Sequence, residues 1–104
     1  MTRPEVSVVV VSYQTRDFVR GLLASLRGAG TSRACEVLVV DNASDDGTVA
    51  MLAGEYPDVR VIANEENVGY SRAVNQAIRA ASGRYLLILN PDIEVQPGSI
   101  DALA

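Results

Sequence analysis

The chain has 104 residues, 48% of them hydrophobic, with 9 Lys+Arg against 13 Asp+Glu, no His and one Cys, for a net charge of −4. That length suits one small domain with a single core. No apolar stretch approaches the ~20 residues of a membrane span, and the run at residues 6–11 is too short for a secretion signal, so a soluble, cytoplasmic chain is expected. The acidic balance and the absence of Lys argue against sequence-independent binding to a nucleic-acid backbone. Lacking His, the chain is a poor zinc ligand. Cys35 has no second cysteine to pair with and is expected to pack as a small hydrophobe.

In chain order, Val6-Ser7-Val8-Val9-Val10-Val11 is nearly all apolar, the pattern of a strand buried on both faces of a parallel sheet. Phe18, Leu22, Leu23 and Leu26 then recur at helical spacing, with Thr15 as N-cap and Gly28 and Gly30 closing the segment. Residues 37–40 give a second strand. Ser44-Asp45-Asp46-Gly47-Thr48 sets capping and acidic groups ahead of Val49, Met51 and Leu52, which predicts a short helix stopped by Pro57, with Ser44, Asp45 and Asp46 as its local caps. Residues 59–62 form a weaker strand. Ala73, Val74, Ala77, Ile78 and Ala81 make a helical stripe from Ser71 onward, ended by Gly83, and Tyr85–Leu89 strongly repeats the first strand's pattern of burial on both faces.

This β-α-β-α-β-α-β order predicts a doubly wound, Rossmann-like α/β unit with right-handed crossovers and a mostly parallel sheet ordered 3-2-1-4. Residues 97–104 read as the start of a helix that stops after little more than a turn, so the expectation is a truncated domain whose tail frays.

In that order the topological switch lies between the first and fourth strands, where open α/β sheets bind ligands outside the strands' carboxyl ends. The residues delivered there are Ser12-Tyr13, Asp41-Asn42 and Asn90-Pro91-Asp92. They supply a ring to stack on, groups to read a base edge and a hard-oxygen carboxylate for a metal, which outlines a nucleotide site.

Four segments carry a more specific resemblance: Val8-Val9-Val10-Val11-Ser12-Tyr13, Val40-Asp41-Asn42-Ala43-Ser44-Asp45-Asp46-Gly47-Thr48, Asn67-Val68-Gly69-Tyr70-Ser71-Arg72-Ala73-Val74-Asn75 and Leu89-Asn90-Pro91-Asp92. In sequence and order they resemble the motifs of family 2 glycosyltransferases with the GT-A fold. The Asn-Pro-Asp segment is similar to the rhamnosyltransferase-like members, where the more usual Asp-X-Asp is altered. The resemblance implies that residues 1–104 form the nucleotide-sugar-binding half of a GT-A domain. It also implies inverting transfer from a nucleoside-diphosphate sugar of UDP or dTDP type to a saccharide or lipid-linked acceptor in cell-wall polysaccharide synthesis, with Mg or Mn as cofactor.

By that resemblance Ser12, Tyr13, Asp41, Gly69, Arg72 and Asn90 bind the nucleotide and Asp92 binds the metal. Tyr13 would stack on the base and Asp41 would accept the base N3–H; the plainer readings are a core-capping Tyr and a turn Asp. Gly69 would permit close backbone approach and Arg72 would reach the diphosphate, against a solvated surface Arg. Asn75 is expected to tie down a loop. For Asp92 the plainer reading is an Asx turn after Pro91. Asn90 in place of a carboxylate weakens any metal site that needs two, although Mg commonly takes its other ligands from phosphates and water.

The family's base lies beyond the metal motif, so no catalytic residue is named, and the fragment is expected to be inactive. Peripheral attachment at the inner membrane face is expected of the full-length protein. A homodimer through the sheet edge beside the fourth strand or through the carboxyl-terminal segment is expected from the apolar surface left open there. Two alternatives remain, a non-catalytic nucleotide-binding module and a nucleotidyltransferase. A dinucleotide-dependent oxidoreductase ranks last, because Ser12-Tyr13-Gln14-Thr15 stands where its Gly-X-Gly-X-X-Gly turn would be.

Overall fold

Alternation along the first strand assigns its valines to two layers. Val6, Val8 and Val10 join the core with the first two helices, while Val9 joins Ala73 and Ala77 of the third helix on the opposite face. The computed structural model describes residues 4–29 and 35–92. These form β1 (Val6–Ser12), α1 (Arg16–Ala29), β2 (Cys35–Asp41), α2 (Thr48–Glu55), β3 (Arg60–Ala63), α3 (Tyr70–Ala80) and β4 (Tyr85–Leu89). The predicted helix start at residues 97–104 lies outside the described residues.

The sheet is four-stranded and parallel throughout, in the order β3-β2-β1-β4. Ser12 of β1 is level with Asp41 of β2, and Asp41 with Ala63 of β3, so the carboxyl ends of three strands finish at one height. The ladder runs one step further: Asn42 N–H donates to the Ser12 carbonyl (2.8 Å) and Asn64 N–H to the Asp41 carbonyl (2.9 Å). The loops that follow therefore start from a fixed edge.

Three apolar assignments differ from the periodicity. Phe18, Val49 and Ile78 lie outside the core, whereas Val19 is fully buried with Leu22 and Leu23. In α1 the buried stripe is rotated one residue away from Phe18, which leaves that ring at the margin of the sheet. Cys35 is also exposed. As the first residue of β2 it sits on the sheet's lip, lining an apolar cleft with Leu26, Val37 and Tyr56.

The expectation that β4 is buried on both faces is corrected: Leu87 and Leu89 pack onto the α1/α2 core, while Leu86 and Ile88 on the other face are exposed, as is Ile78 of α3. Helix α3 lies over β1 and β2 and leaves β4 uncovered on that side among the described residues.

The opposite, amino-terminal edge is fastened by one carboxylate. Glu36, the second residue of β2, accepts hydrogen bonds at Oε2 from the Ser7 hydroxyl, Ser82 N–H (2.6 Å) and the Ser82 hydroxyl (2.9 Å), and at Oε1 from the Arg60 guanidinium (2.8 Å). Burial pushes this carboxyl up, but the hydrogen bonds from Ser7, Ser82 and Arg60 outweigh it and hold the group at about 2, against an ordinary 4.5. Gly83 completes the joint. Its N–H donates to Ser7 Oγ (2.8 Å), and a Cβ there would stand 2.6 Å from the Ser7 backbone nitrogen.

Candidate nucleotide-sugar site

Asp41 closes the edge from the centre. It is 1% exposed, and both of its carboxylate oxygens are occupied by one residue: Ser44 N–H donates to Oδ2 (3.0 Å) and Ser44 Oγ–H to Oδ1 (2.7 Å). This is the Asx-type turn of the plainer reading, with Ala43 held at φ 62 inside it. A carboxylate offers about four acceptor directions, so two bonds leave capacity toward a ligand.

Beside it, Asn42 is buried and joins three segments. Its Nδ2 donates to the Gly69 carbonyl (3.3 Å), and its Oδ1 accepts from Asn64 Nδ2 (2.9 Å). Asn64 in turn exchanges two hydrogen bonds of 2.8 Å with Gln76. The expectation for Asn75 is corrected here: Asn75 is exposed, and the adjacent Gln76 ties the β3–α3 loop, because only Gln76 stands on the helix face turned to Asn64.

The β1–α1 loop is held by the β2–α2 loop. Gln14, at a left-handed φ of 54, donates its N–H to Ser44 Oγ (2.9 Å), and its amide makes a reciprocal pair with Asp45, Nε2 to Oδ1 and Asp45 N–H to Oε1 (2.8 Å). Asp46 Oδ2 accepts the first N–H of α1, from Arg16 (3.0 Å), while Oδ1 accepts Thr48 N–H (3.2 Å) and the Thr48 hydroxyl. The Arg16 guanidinium donates back to the Asp46 carbonyl (2.9 Å).

This arrangement corrects two sequence expectations. Ser44, Asp45 and Asp46 are not merely local caps, and Thr15 caps α1 with its carbonyl alone, its hydroxyl being engaged with Ser12 Oγ (3.0 Å). Asp46 supplies the side-chain cap from the neighbouring loop. Although burial pushes its carboxyl up, the hydrogen bonds from Thr48 and Arg16 prevail and hold it below the usual range. No sequence signal identifies such a cap, since donor and acceptor are 30 residues apart.

Around this braced rim stand the exposed groups. Ser12 is buried, and Tyr13 follows it half exposed. Gly69, the N-cap of α3, has φ 87 and ψ 166, a conformation open essentially to glycine alone, and nothing stands within 4 Å of where a Cβ would be. Arg72 is exposed in the first turn of α3 without an ion-pair partner among the described residues. A cation there opposes the helix dipole unless an anion lies nearby.

Asn90 and Asp92 are exposed just past β4, and Asp92 lines an open groove with Asp17, Phe18, Gly21 and Pro91. The structure thus brings Tyr13, Asp41 and Asp92 to neighbouring carboxyl-terminal loops, while Arg72 approaches from α3 on the other face. Among the described residues no three acidic, Cys or His side chains gather as a metal cage. Asp92, with Asp17 lining the same groove, suits an ion that takes its other ligands from phosphate and water, which is the habit of Mg and not of zinc.

Residues 7–104 match the family described as Glycosyl transferase family 2. The chain belongs to that family. Among curated relatives, an N-acetylglucosaminyl-diphospho-decaprenol L-rhamnosyltransferase of Mycobacterium tuberculosis is 37% identical over 92% of this chain and 34% of its own length. The succinoglycan biosynthesis protein ExoO of Rhizobium meliloti is 40% identical over 90% of this chain and 27% of its own. This chain therefore spans about a third of the relatives it matches.

Among solved structures, TarS of S. aureus in complex with UDP superposes with a TM-score of 0.83 at 27% identity, covering 95% of this chain and 31% of that one. The mannosyltransferase PcManGT of Pyrobaculum calidifontis, in complex with GDP-Man and Mn2+, gives 0.74 at 33% identity, covering 88% and 28%. The fold is GT-A, and the family 2 glycosyltransferase domain has nucleotide-sugar transferases as its structural neighbours. No helix among the described residues is long and apolar enough to cross a membrane.

Proposed function

We propose that this chain is the donor-binding part of an inverting glycosyltransferase that takes a sugar from a UDP- or dTDP-type nucleoside diphosphate. The observation that carries the reading is the meeting of half-exposed Tyr13, buried Asp41 and exposed Asp92 on adjacent loops at the switch point of the sheet. Tyr13 stacks on the base, Asp41 accepts the N3–H of a pyrimidine with the lone pairs Ser44 leaves, and Ser12 holds the turn between them. Gly69 and Arg72 face the diphosphate, Gly69 by leaving room for it and Arg72 by countering its charge.

As the anomeric C–O bond breaks, its electron pair goes to the diphosphate, and a cation aimed there stabilises the transition state more than the ground state. Arg72 supplies part of that charge. Asp92, with Asn90 beside it, is the side chain that would hold Mg or Mn, which when bound neutralises the leaving diphosphate. The acceptor hydroxyl attacks the opposite face of the sugar and loses its proton to a general base. We assign that base, and the site for a saccharide or lipid-linked acceptor, to sequence beyond the described residues, so the described part alone binds donor without turnover.

For the whole protein we propose peripheral work at the inner membrane face in cell-wall polysaccharide synthesis, a reading supported by the relative named as an N-acetylglucosaminyl-diphospho-decaprenol L-rhamnosyltransferase. A second copy across the β4 edge is the proposed partner, because Leu86 and Ile88 leave an apolar ledge beside a strand that is unpaired on one side among the described residues. Light scattering over a concentration series tests it, and a strictly monomeric species contradicts it.

The functional reading is tested by calorimetric titration with UDP, dTDP, GDP and ADP. Preferential binding of the pyrimidine diphosphates supports it, whereas equal affinity for all four removes the Tyr13 and Asp41 assignments.

A further inference from the structure

Two loops 30 residues apart in sequence meet at the rim through five hydrogen bonds among the described residues, two from Arg16 to Asp46, two between Gln14 and Asp45, and one from Gln14 to Ser44. Those of Asp46 with Arg16 are mechanical: they cap α1 and touch neither Tyr13 nor Asp41. Ser44 is different. Its hydroxyl is in contact with both the Asp41 carboxylate (2.7 Å) and the backbone N–H of Gln14 (2.9 Å), the residue after Tyr13. The direction of the proton is fixed by its neighbours, since the carboxylate only accepts and the N–H only donates. The Ser44 hydroxyl must therefore give its proton to Asp41 and receive the Gln14 N–H.

We infer that Ser44 is a positioning residue that couples the base-reading carboxylate of Asp41 to the loop carrying Tyr13, and so sets the selectivity of the site for a pyrimidine nucleoside. The inference rests on the nucleotide reading of the site. Gln14 is at φ 54, a conformation that costs energy for any side chain but glycine and persists only when its surroundings impose it. The Ser44 hydroxyl is one such restraint, and the Gln14–Asp45 amide pair is the other. Without the hydroxyl, Asp41 loses one of its two donors and is free to turn, and Gln14 N–H loses its acceptor. The base-stacking ring and the base-reading carboxylate then lose their mutual register.

Ser44 is half-buried, so Thr, which keeps the hydroxyl, is the conservative replacement. The experiment compares the chain with Ser44→Ala and Ser44→Thr by UDP and ADP calorimetry and by backbone amide hydrogen exchange without ligand. Ser44→Ala is expected to weaken UDP about tenfold and to bring the UDP-to-ADP affinity ratio toward one, the size expected when a hydrogen bond to a charged group is lost. Exchange at Gln14 should quicken while the β1 and β2 amides keep their protection. Ser44→Thr should restore all three readouts. An unchanged UDP-to-ADP ratio, or unchanged protection at Gln14 in Ser44→Ala, overturns the positioning role while leaving nucleotide binding intact. Failure of the unsubstituted chain to bind either nucleotide overturns the nucleotide reading and the role of Ser44 within it, a result distinct from the first.

Discussion

The two ends of the sheet are held by opposite means. At the amino-terminal edge one carboxylate, Glu36, gathers Ser7, Arg60 and Ser82 around itself, and Gly83 packs directly on the β1 backbone. At the carboxyl-terminal edge the bracing is spread over many side chains, Gln14, Asn42, Ser44, Asp46, Asn64 and Gln76, and an outer ring of Tyr13, Arg72, Asn90 and Asp92 is left exposed. The first edge spends its charges on itself. The second engages Asp41, Asp45, Asp46 and Arg16 within its loops and leaves Arg72 and Asp92 exposed, and an exposed charge meets a ligand without first breaking a bond.

That contrast breaks most severely at Gly83. Gly83→Ala forces a Cβ against the β1 backbone, which unlike a flexible side-chain tip does not yield, and a loss of about 3 kcal/mol or more is expected in urea unfolding. Glu36→Gln comes next, at about 2 kcal/mol near neutral pH, because an amide presents a donor where Ser82 N–H already donates. The sign in acid follows from the lowered carboxyl: the native Glu36 contribution is full above about 4.5, its ordinary value, and is lost as pH falls through about 2, so the gap between parent and Glu36→Gln closes over that window.

Smaller effects on stability, with larger effects on binding, are expected at the other edge. Asp41→Ala leaves Ser44 N–H and its hydroxyl without their acceptor, for a loss of ~1 to 2 kcal/mol in unfolding and a pronounced loss of UDP affinity. Asp92, exposed and without an ion-pair partner among the described residues, carries the smallest structural effect. Asp92→Asn should change stability by less than ~0.5 kcal/mol and remove the Mn-dependent component of diphosphate affinity, measured as the difference between titrations with Mn and with chelator.

The sequence disclosed one of these edges better than the other, and for a physical reason. Runs such as Val8-Val9-Val10-Val11 and Leu86-Leu87-Ile88-Leu89 identify parallel strands, and the crossover rule then orders them, so the order of the strand ends is legible in the pattern; burial on both faces holds for β1 and not for β4, where Leu86 and Ile88 are exposed. Periodicity names the face of an element and says nothing of its partner. The cap that Asp46 gives to Arg16, the Ser44 bridge and the Glu36 joint all span 24 residues or more, and each depends on which loop the fold sets beside which. Phe18 and Asn75 failed for a related reason: each sits one position from the residue that packs or bonds, Val19 and Gln76, and a helical stripe read without its neighbours does not resolve one position.

The central claim is that the carboxyl-terminal edge binds a pyrimidine nucleoside diphosphate with the help of a divalent ion. Calorimetric titration of the chain with UDP, in Mn and in chelator, tests it most directly. The account predicts saturable one-to-one binding that is weaker in chelator and weaker again for ADP. Equal heats for UDP and ADP, unaffected by Mn, would contradict it and return Asp41 and Asp92 to the turns in which they stand.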